Sequence, residues 1–318
     1  MLNAFLTVDV EIWPPGWDLD RANFPKYFAT FIDGKTARGR FGLPFQLQLL
    51  SEHQLKAVFF VEPLFAFEFG IEPLRDIVSL IRSFDQEVQL HLHTEWVGKM
   101  THSILPSRSG INIREFSEDE QTFLVGKGLE NLRSCGLDGV CTFRAGSFGA
   151  NGATLRALTR NGLSIDSSYN LACDLGPFLD VEIWQPTLLQ GVKEFPVTVY
   201  RDPLGGHRHA QINSTSFLEF VNLLEQAQTR NWHSWVAFWH SAELLNEGRT
   251  RHDPVAVSRL AKLCGYLADH RKDLETRWFS EMLSEDLPAI ALGGPLSTPL
   301  PLSLMKYAEQ TARKVLFR

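Results

Sequence analysis

The amino-acid sequence predicts an α/β fold, a barrel of seven or eight mainly parallel strands with helices outside. Short apolar runs bounded by turn residues alternate with longer segments of helical period, which is the pattern of parallel strands joined by crossover helices. The chain has 318 residues, 44% of them hydrophobic, with 23 Phe and 8 Trp, so a large core can form. No repeat or Pro/Ser-rich linker divides it. We therefore predict one barrel domain over residues 1–318, with a C-terminal extension from about residue 285.

The strands are predicted from short runs rich in apolar and β-branched residues. Seven runs fit, and an eighth follows near the end of the chain. In chain order they are Ala4–Val10, Ala57–Glu62, Glu87–His91, Val140–Phe143, Ser164–Ser167, Glu194–Tyr200, Ser234–His240 and Thr276–Ser280. Seven or eight strands are the number that a barrel needs.

The helices are predicted from their capping signals, in which a Ser, Asn or Asp side chain binds free backbone N–H groups of the first turn. Three stretches, 12–35, 96–114 and 172–192, stay unassigned, and residues 287–302 are expected to lead to a terminal helix. The predicted helix starts are Ser117 with Glu120 (to about Cys135), Asn151 (to about Asn161), Ser216 with Glu219 (to about Arg230) and Asp253 before Pro254.

Composition and charge exclude several classes of protein. The 31 Lys and Arg against 37 Asp and Glu give a net charge of −6 without a basic run, so we expect no nucleic-acid partner. Four cysteines without a C-x-x-C pair indicate buried thiols rather than a disulfide framework. No apolar stretch approaches the roughly 20 residues that span a bilayer, and no signal peptide is apparent. We therefore expect a cytoplasmic location.

Residues with ligand chemistry stand at the carboxyl ends of two predicted strands, where parallel α/β folds place their sites. Asp9 and Glu11 stand at the end of the first strand at positions i and i+2, so both would point to one face of an extended chain. The third strand ends in His91: if it continues, His91, His93 and Glu95 share a face, and if a helical turn follows, His91 and Glu95 meet at i and i+4. Carboxylates and imidazoles together suit zinc or another first-row divalent ion. Each residue alone has an ordinary structural explanation, but together they favour a metal site.

Acid–base residues follow three further strands. Arg144 ends the fourth strand, where it could pair with a neighbouring carboxylate or orient Asp9 as a catalytic base. Asp166 lies at the end of the fifth strand. His240 follows the apolar run Trp235–Trp239, a good position for a general acid at the mouth of a buried strand.

Taken in order, five of these segments resemble the motifs of the polysaccharide deacetylase family, the NodB-homology carbohydrate esterases and related amidohydrolases. The matched segments span residues 7 to 243, about three quarters of the chain. The family fold is a distorted (β/α) barrel with seven strands. The five segments are Thr7–Glu11, His91–Glu95, Phe143–Gly146, Asp166–Ser168 and Trp239–His240.

The resemblance implies roles for the acid–base residues. Asp9 corresponds to the catalytic base, and Arg144 to the residue that holds it. His240 corresponds to the catalytic acid, and Asp166 to the residue that tunes this histidine. The reaction implied is hydrolysis of an acyl group from an N-acetylated sugar or a related amide.

The metal ligands match the family less closely. The family has adjacent aspartates in its first motif, whereas Val10 stands at the second position here and Glu11 is the candidate ligand. The second motif of the family is His-x-x-x-His. Here it begins with His91, and either His93 or Glu95 completes the site. Zinc is the first candidate ion, with cobalt, nickel or manganese as alternatives.

The third motif also departs from the family, because Gly146 and Ser147 replace the usual proline and tyrosine. Substrate-binding candidates are the aromatic and hydroxyl side chains that follow the motifs, since aromatic faces stack on sugar rings. These candidates are Trp13, Trp96, Ser147 and Phe148. The expected partner is an acylated sugar or a sugar-derived small molecule, and the sequence leaves the oligomeric state open.

The sequence also fits two other hypotheses about function. The segment Ala145–Gly149 approximates a nucleophile elbow, so Ser147 could act as an esterase nucleophile with Asp166 and His240 following in the order of α/β-hydrolases. Alternatively, the changes at Val10 and Glu95 fit a catalytically impaired barrel that only binds carbohydrate.

Overall fold

The computed structural model describes residues 1–173, 182–287 and 294–316. Its strands, in chain order, are β1 Leu2–Val10, β2 Lys35–Thr36, β3 Gly39–Arg40, β4 Val58–Val61, β5 Glu87–Leu92, β6 Thr142–Ala145, β7 Ile165–Asp166, β8 Thr187–Leu189, β9 Val192–Glu194, β10 Val199–Arg201, β11 His207–His209, β12 Ser234–His240, β13 Leu274–Thr276 and β14 Leu296–Ser297. Its helices are α1 Phe24–Phe31, α2 Leu43–Glu52, α3 Ala66–Phe69, α4 Glu72–Ser83, α5 Glu95–Lys99, α6 Glu118–Ser134, α7 Gly152–Arg160, α8 Phe217–Thr229, α9 Pro254–Asp269 and α10 Leu300–Leu316.

The main sheet is mostly parallel and curls into a half-barrel. Its strand order is β12-β1-β4-β5-β6-β7-β9-β8, with β13 also pairing β1, and only the β8–β9 pair is antiparallel. Beyond β9 the chain returns to β12, where Thr198 N donates to Val236 O and Phe238 N donates to Ala210 O, each at 3.0 Å. The predicted α/β fold of mainly parallel strands is confirmed.

Strand β1 shows why the interior of the half-barrel is apolar at one end and polar at the other. Its alternate residues face inward in the order Phe5, Thr7, Asp9, while Leu6 and Val8 pack outward with the helices. The Phe5 ring stacks on the ring of Phe279, which lies in a 3₁₀ turn near the end of the chain, and both belong to a small inner core. The members of that core are Phe5, Val58, Phe60, Ile165, Phe195, Val236, Phe279 and Met282.

Three other strands end on polar residues in the same way. His91 follows Gln89 on β5, and Arg144 follows Thr142 on β6, each two residues on and therefore on the same face. His240 ends β12, and its backbone is in register with that of Asp9 on β1. The carboxyl ends of β1, β5, β6 and β12 thus meet at one mouth, which is where the candidate site lies.

The predicted helix starts are confirmed by their hydrogen bonds. Asn151 accepts from Thr154 N at 3.0 Å, and Asp253 accepts from Val255 N at 3.0 Å. Ser117 and Ser216 make capping boxes with the glutamates three residues on. The terminal helix expected after residue 302 begins at Leu300 as α10.

Two predicted strands differ from the structure. The run Glu194–Tyr200 is divided into β9 and β10, because Pro196 has no N–H with which to continue a strand ladder. The run Thr276–Ser280 contributes only the last residue of β13, and a 3₁₀ turn follows at Phe279–Met282.

The unassigned stretches hold short elements. Residues 12–35 contain α1, residues 96–114 begin within α5, and the stretch 172–192 lies partly outside the described residues. Within the described part of the chain, no helix is both long and apolar enough to span a bilayer. In the described part of the chain the cysteines form no disulfide; Cys135, Cys141 and Cys264 are buried and Cys173 is half-buried.

Candidate active site

Three buried side chains converge at the mouth of the half-barrel. The Oε1 atom of Glu11 lies 2.9 Å from Nε2 of His91 and 2.8 Å from Nε2 of His93. These three atoms all lie within 4.8 Å of one another. One carboxylate oxygen and two imidazole nitrogens are a donor set that zinc and related divalent ions prefer, with a further position left for water or substrate.

The far side of each of these residues is held by a separate group. His91 donates from Nδ1 to the carbonyl oxygen of Arg144 at 2.8 Å, which leaves the Nε2 lone pair for a cation. Nδ1 of His93 lies 3.2 Å from Oε2 of Glu95, and Trp13 Nε1 donates to Oε2 of Glu11 at 2.7 Å. Metal ligands in proteins are oriented by outer hydrogen bonds of this kind. The residues present therefore fit a divalent cation.

The sequence predicts either His93 or Glu95 as the third ligand. The structure brings His93 to Glu11 and His91, while the carboxylate of Glu95 binds the opposite nitrogen of the His93 ring. Glu95 thus lies behind the ligand set and orients one of its members.

Gly146 explains how the His93 ring reaches this position. A Cβ atom built at residue 146 would lie 2.6 Å from Nδ1 and 2.7 Å from Cγ of His93. Glycine is the residue without a Cβ, so it alone gives the ring this room. The proline that the family has in its third motif would collide with a histidine placed as His93 is. Gly146 in the third motif and His93 as a ligand in the second therefore depend on each other.

The charges of the site are strongly coupled. Burial alone would raise the pKa of Glu11, but the positive charges of His93 and His240 and hydrogen bonds from both ligand histidines hold it well below its usual range. Burial would lower the pKa of His93, but the Glu11 carboxylate outweighs it and raises the pKa to about 10. In the metal-free protein, the protons on His93 and His240 thus balance the charge of the Glu11 carboxylate.

Asp9 and Arg144 form a buried ion pair beside this cluster. Arg144 Nη1 donates to Oδ1 of Asp9 at 2.8 Å and to Oγ1 of Thr7 at 2.9 Å. The guanidinium also donates to the carbonyl and the hydroxyl of Ser167 and lies 4.2 Å from the centroid of the Phe60 ring. The fixed guanidinium orients Asp9, whose carboxylate lies close to Glu11 and His240.

His240 lies close to both Glu11 and Asp9, with 39% of its side chain exposed. Its Nε2 is 3.9 Å from Oε1 of Glu11, and its Nδ1 is 2.8 Å from Oε2 of Glu243. Burial would lower the pKa of His240, but the charges of Glu11 and Glu243 raise it to about 9. The ring is therefore protonated near neutral pH and directs one N–H toward the cluster.

The expected partner of His240 was Asp166, and the structure corrects this assignment. Ser168 donates to Oδ1 of Asp166 at 2.6 Å, and Asp166 is in register with Glu194 of β9. Burial raises the pKa of both carboxyl groups, that of Glu194 well above its usual range, so the pair retains a proton. Glu243 instead holds His240, because the turn after β12 places a residue three positions on beside the ring. The i, i+3 spacing of His240 and Glu243 was the sequence signal that could have identified this partner.

Of the four substrate-binding candidates, one is buried in the core and three lie nearer the surface. Trp96 is fully buried and packs edge-on against Trp17. It is therefore a core residue and not the substrate-binding residue that the sequence predicts. Trp13 contacts Glu11 and His93 directly. Ser147 is exposed and Phe148 half-buried in the turn after β6, with the Phe148 ring edge-on to Phe238 at 5.2 Å between centroids.

The serine-nucleophile reading is not supported by the contacts in the described part of the chain. Ser147 has the positive φ of 52° that a nucleophile elbow would need. Yet no hydrogen bond joins it to Asp166 or His240, whose partners are Ser168 and Glu243. No base is therefore placed to activate the hydroxyl.

A cleft of about 540 Å³ opens next to the cluster. Its walls include Glu11 and His240 of the candidate site. They also include Trp13, the buried Phe31 and polar side chains such as Asn213 and Arg249. A space of this size admits a small organic molecule beside the candidate metal site.

The raised pKa of His240 predicts a pH dependence of stability in the metal-free protein. Because the folded-state pKa of about 9 exceeds the ordinary value of 6.5, the stabilising contribution of the proton is complete below pH 6.5 and is lost as the pH rises through 9. We expect the free energy of unfolding to fall more steeply between pH 6.5 and 9 in the wild type than in His240→Gln. Urea unfolding of both proteins across this range measures it, and parallel curves would contradict the assignment.

Comparison with known proteins gives matches among solved structures. No protein-family model and no curated protein sequence matches the chain. A protein of Mycobacterium smegmatis named as a polysaccharide deacetylase aligns over 92% of this chain and 95% of its own, with 16% identity and a TM-score of 0.57. The 4-alpha-glucanotransferase of Thermococcus litoralis aligns over 94% of this chain and 40% of its own, with 13% identity and a TM-score of 0.51.

A family 4 carbohydrate esterase from Streptomyces lividans, solved in complex with acetate, aligns over 90% of this chain and 97% of its own, with 13% identity and a TM-score of 0.45. At these identities the likeness concerns the fold. The resemblance drawn from the sequence motifs is confirmed at that level: the chain has the polysaccharide deacetylase fold.

Proposed function

We propose that this protein is a metal-dependent deacetylase that removes the acetyl group from an N-acetylated sugar. One observation carries the proposal. The ligand set of Glu11, His91 and His93 has a held carboxylate, Asp9, and a protonated imidazole, His240, close to it at the mouth of the half-barrel. A protein that only binds carbohydrate needs neither an acid nor a base there.

The cation would be held by Oε1 of Glu11 and by Nε2 of His91 and His93. When bound, a divalent ion polarises the acyl oxygen and lowers the pKa of a water molecule. Zinc suits one carboxylate and two imidazoles best, and cobalt, nickel or manganese are alternatives.

Asp9 is suited to act as the base. Arg144 binds its Oδ1, which fixes the carboxylate and leaves the second oxygen to take a proton from the attacking water. The same guanidinium is locked by Thr7 and Ser167, so it holds Asp9 in one orientation. Preorganisation of this kind lowers the cost of reaching the transition state.

His240 is suited to act as the acid. Glu243 binds Nδ1 and keeps the ring charged, while Nε2 points toward the cluster. An amine departs readily only when it receives a proton, and the Nε2–H of His240 supplies one. Base and acid thus both lie close to Glu11, the base oriented by Arg144 and the acid held by Glu243.

The cleft supports a sugar-sized substrate. The half-buried Trp13 presents aromatic surface along it, and Asn213 and Gln211 present polar groups that suit hydroxyls. We therefore keep an acylated sugar or a sugar-derived small molecule as the proposed substrate class. The cytoplasmic location stays a prediction.

Acetate release from a panel of N-acetylated and O-acetylated sugars tests the proposal. The wild-type protein, reloaded in turn with zinc, cobalt, nickel and manganese, is expected to release acetate with at least one ion and to stop after chelation. His91→Ala is expected to release none, while the exposed His270→Ala serves as a matched control and keeps wild-type activity. Metal-loaded wild type that releases acetate from no member of the panel would overturn the proposal and favour the carbohydrate-binding barrel.

A further inference from the structure

We propose that Trp13 is a positioning residue that makes Glu11 a one-oxygen metal ligand. The inference rests on the metal site of the proposed function and adds a residue that the motif resemblance does not include as a metal-site residue. It replaces the expectation that Trp13 serves only as a platform for sugar.

The first contact is a hydrogen bond that occupies one oxygen of Glu11. Trp13 Nε1 donates to Oε2 at 2.7 Å, while both ligand histidines approach Oε1. An indole nitrogen is a donor only and cannot itself bind a cation. With Oε2 turned to the indole, Glu11 offers Oε1 alone, and a coordination position that a two-oxygen carboxylate would fill stays open.

The second contact is with another member of the ligand set. The Trp13 ring lies edge-on to the His93 ring, with centroids 4.6 Å apart and an interplanar angle of 87°. One side chain therefore touches two of the three ligands, Glu11 through its N–H and His93 through its ring. Outer contacts of this kind fix the orientation of ligands before the ion arrives.

A row of tryptophans holds Trp13 in place. Trp17 packs edge-on to Trp13 at 5.6 Å between centroids, and Trp96 packs edge-on to Trp17 at 5.1 Å. Trp96 is fully buried, so the row runs from the core to the candidate metal site. This anchoring explains how a half-buried indole can keep a fixed direction toward Glu11.

The test compares the zinc affinity of Trp13→Phe with that of the wild type, measured by competition with a chromophoric chelator. Phenylalanine keeps a ring and removes the N–H donor, and we expect zinc to bind about 10–100-fold more weakly. The d–d spectrum of the cobalt-loaded variant is expected to change, because Glu11 can then rotate. Trp278→Phe is the matched control, because its ring packs on the small inner core and its Nε1 has no hydrogen-bond partner among the described residues; it is expected to keep the affinity and the spectrum.

A double-mutant cycle separates this role from general packing. In a Glu11→Gln background, Trp13→Phe is expected to cause no further loss of zinc affinity, since the two residues act through one hydrogen bond. Independent losses that simply add would contradict the inference. So would wild-type zinc affinity and an unchanged cobalt spectrum in Trp13→Phe, even if KM for a sugar rose, because a sugar platform alone would then explain Trp13.

Indole NMR on the wild type keeps the inference testable if the variant fails to fold. One indole N–H signal is expected to resist solvent exchange, shift on zinc titration and broaden most with paramagnetic cobalt. The lack of any such signal would overturn the inference. Failure of the proposed function would give a different result. If zinc affinity depends on Trp13 but the protein releases no acetate, Trp13 is still a positioning residue and the deacetylase proposal is wrong.

Discussion

Replacing His240 by alanine is expected to lower kcat by about 10²–10⁴-fold while metal content stays at the wild-type level. The variant removes the only imidazole of the described residues that faces Glu11 from outside the ligand set, and with it the proton for the leaving amine. Its side chain is 39% exposed, so the truncation leaves little empty space in the core. Acetate release and elemental analysis of the same preparation measure both effects.

Glu243→Gln is the companion variant for His240. The Glu243 carboxylate helps to raise the pKa of His240, so its removal lowers that pKa. Because the protonated ring is the active form, the alkaline limb of kcat/KM is expected to move to lower pH. Near-normal turnover in His240→Ala, or an alkaline limb that stays in place in Glu243→Gln, would show that this histidine is not the acid.

The Gly146→Ala variant is expected to lose most of its metal affinity, by at least about tenfold, and to lose acetate release with it. The added methyl would lie 2.6 to 2.8 Å from three atoms of the His93 ring, closer than real contacts allow, so the ring has to turn away from Glu11. Isothermal titration with zinc measures the loss.

Gly139→Ala is the matched control for Gly146→Ala. A Cβ at residue 139 would meet nothing within 4 Å, so the same chemical change there is expected to leave zinc binding unchanged. If Gly146→Ala bound zinc as tightly as Gly139→Ala does, His93 would not be a ligand, and the third ligand would have to be sought elsewhere.

The fold could be predicted because its signals are local. The alternation along β1 and the caps at Asn151 and Asp253 each depend on residues a few positions apart. The convergence of Asp9, His91, Arg144 and His240 followed from one rule, that parallel strands carry their sites at their carboxyl ends. The division of the strand after Glu194 was also readable, since Pro196 cannot donate to a ladder.

The partners of the site residues could not be predicted in this way. Which carboxylate holds His240 depends on the turn after β12, and that turn places Glu243 there while Asp166 pairs with Ser168 and Glu194. The burial of Trp96 likewise depends on how α5 packs, which a single aromatic residue after a motif does not reveal. Long-range packing decides the partners of Asp166 and the burial of Trp96, whereas the i, i+3 spacing of His240 and Glu243 was a local signal.

The metal content of the purified protein tests the central claim most directly. Elemental mass spectrometry of the wild type, after exposure to zinc and removal of excess, is expected to give about one equivalent, and His91→Ala is expected to give almost none, because His91 supplies one of only three ligand atoms in the described cluster. His270→Ala should bind as the wild type does. Wild-type protein that retains no zinc, cobalt, nickel or manganese after reloading, or a His91→Ala variant that retains a full equivalent, would contradict the account.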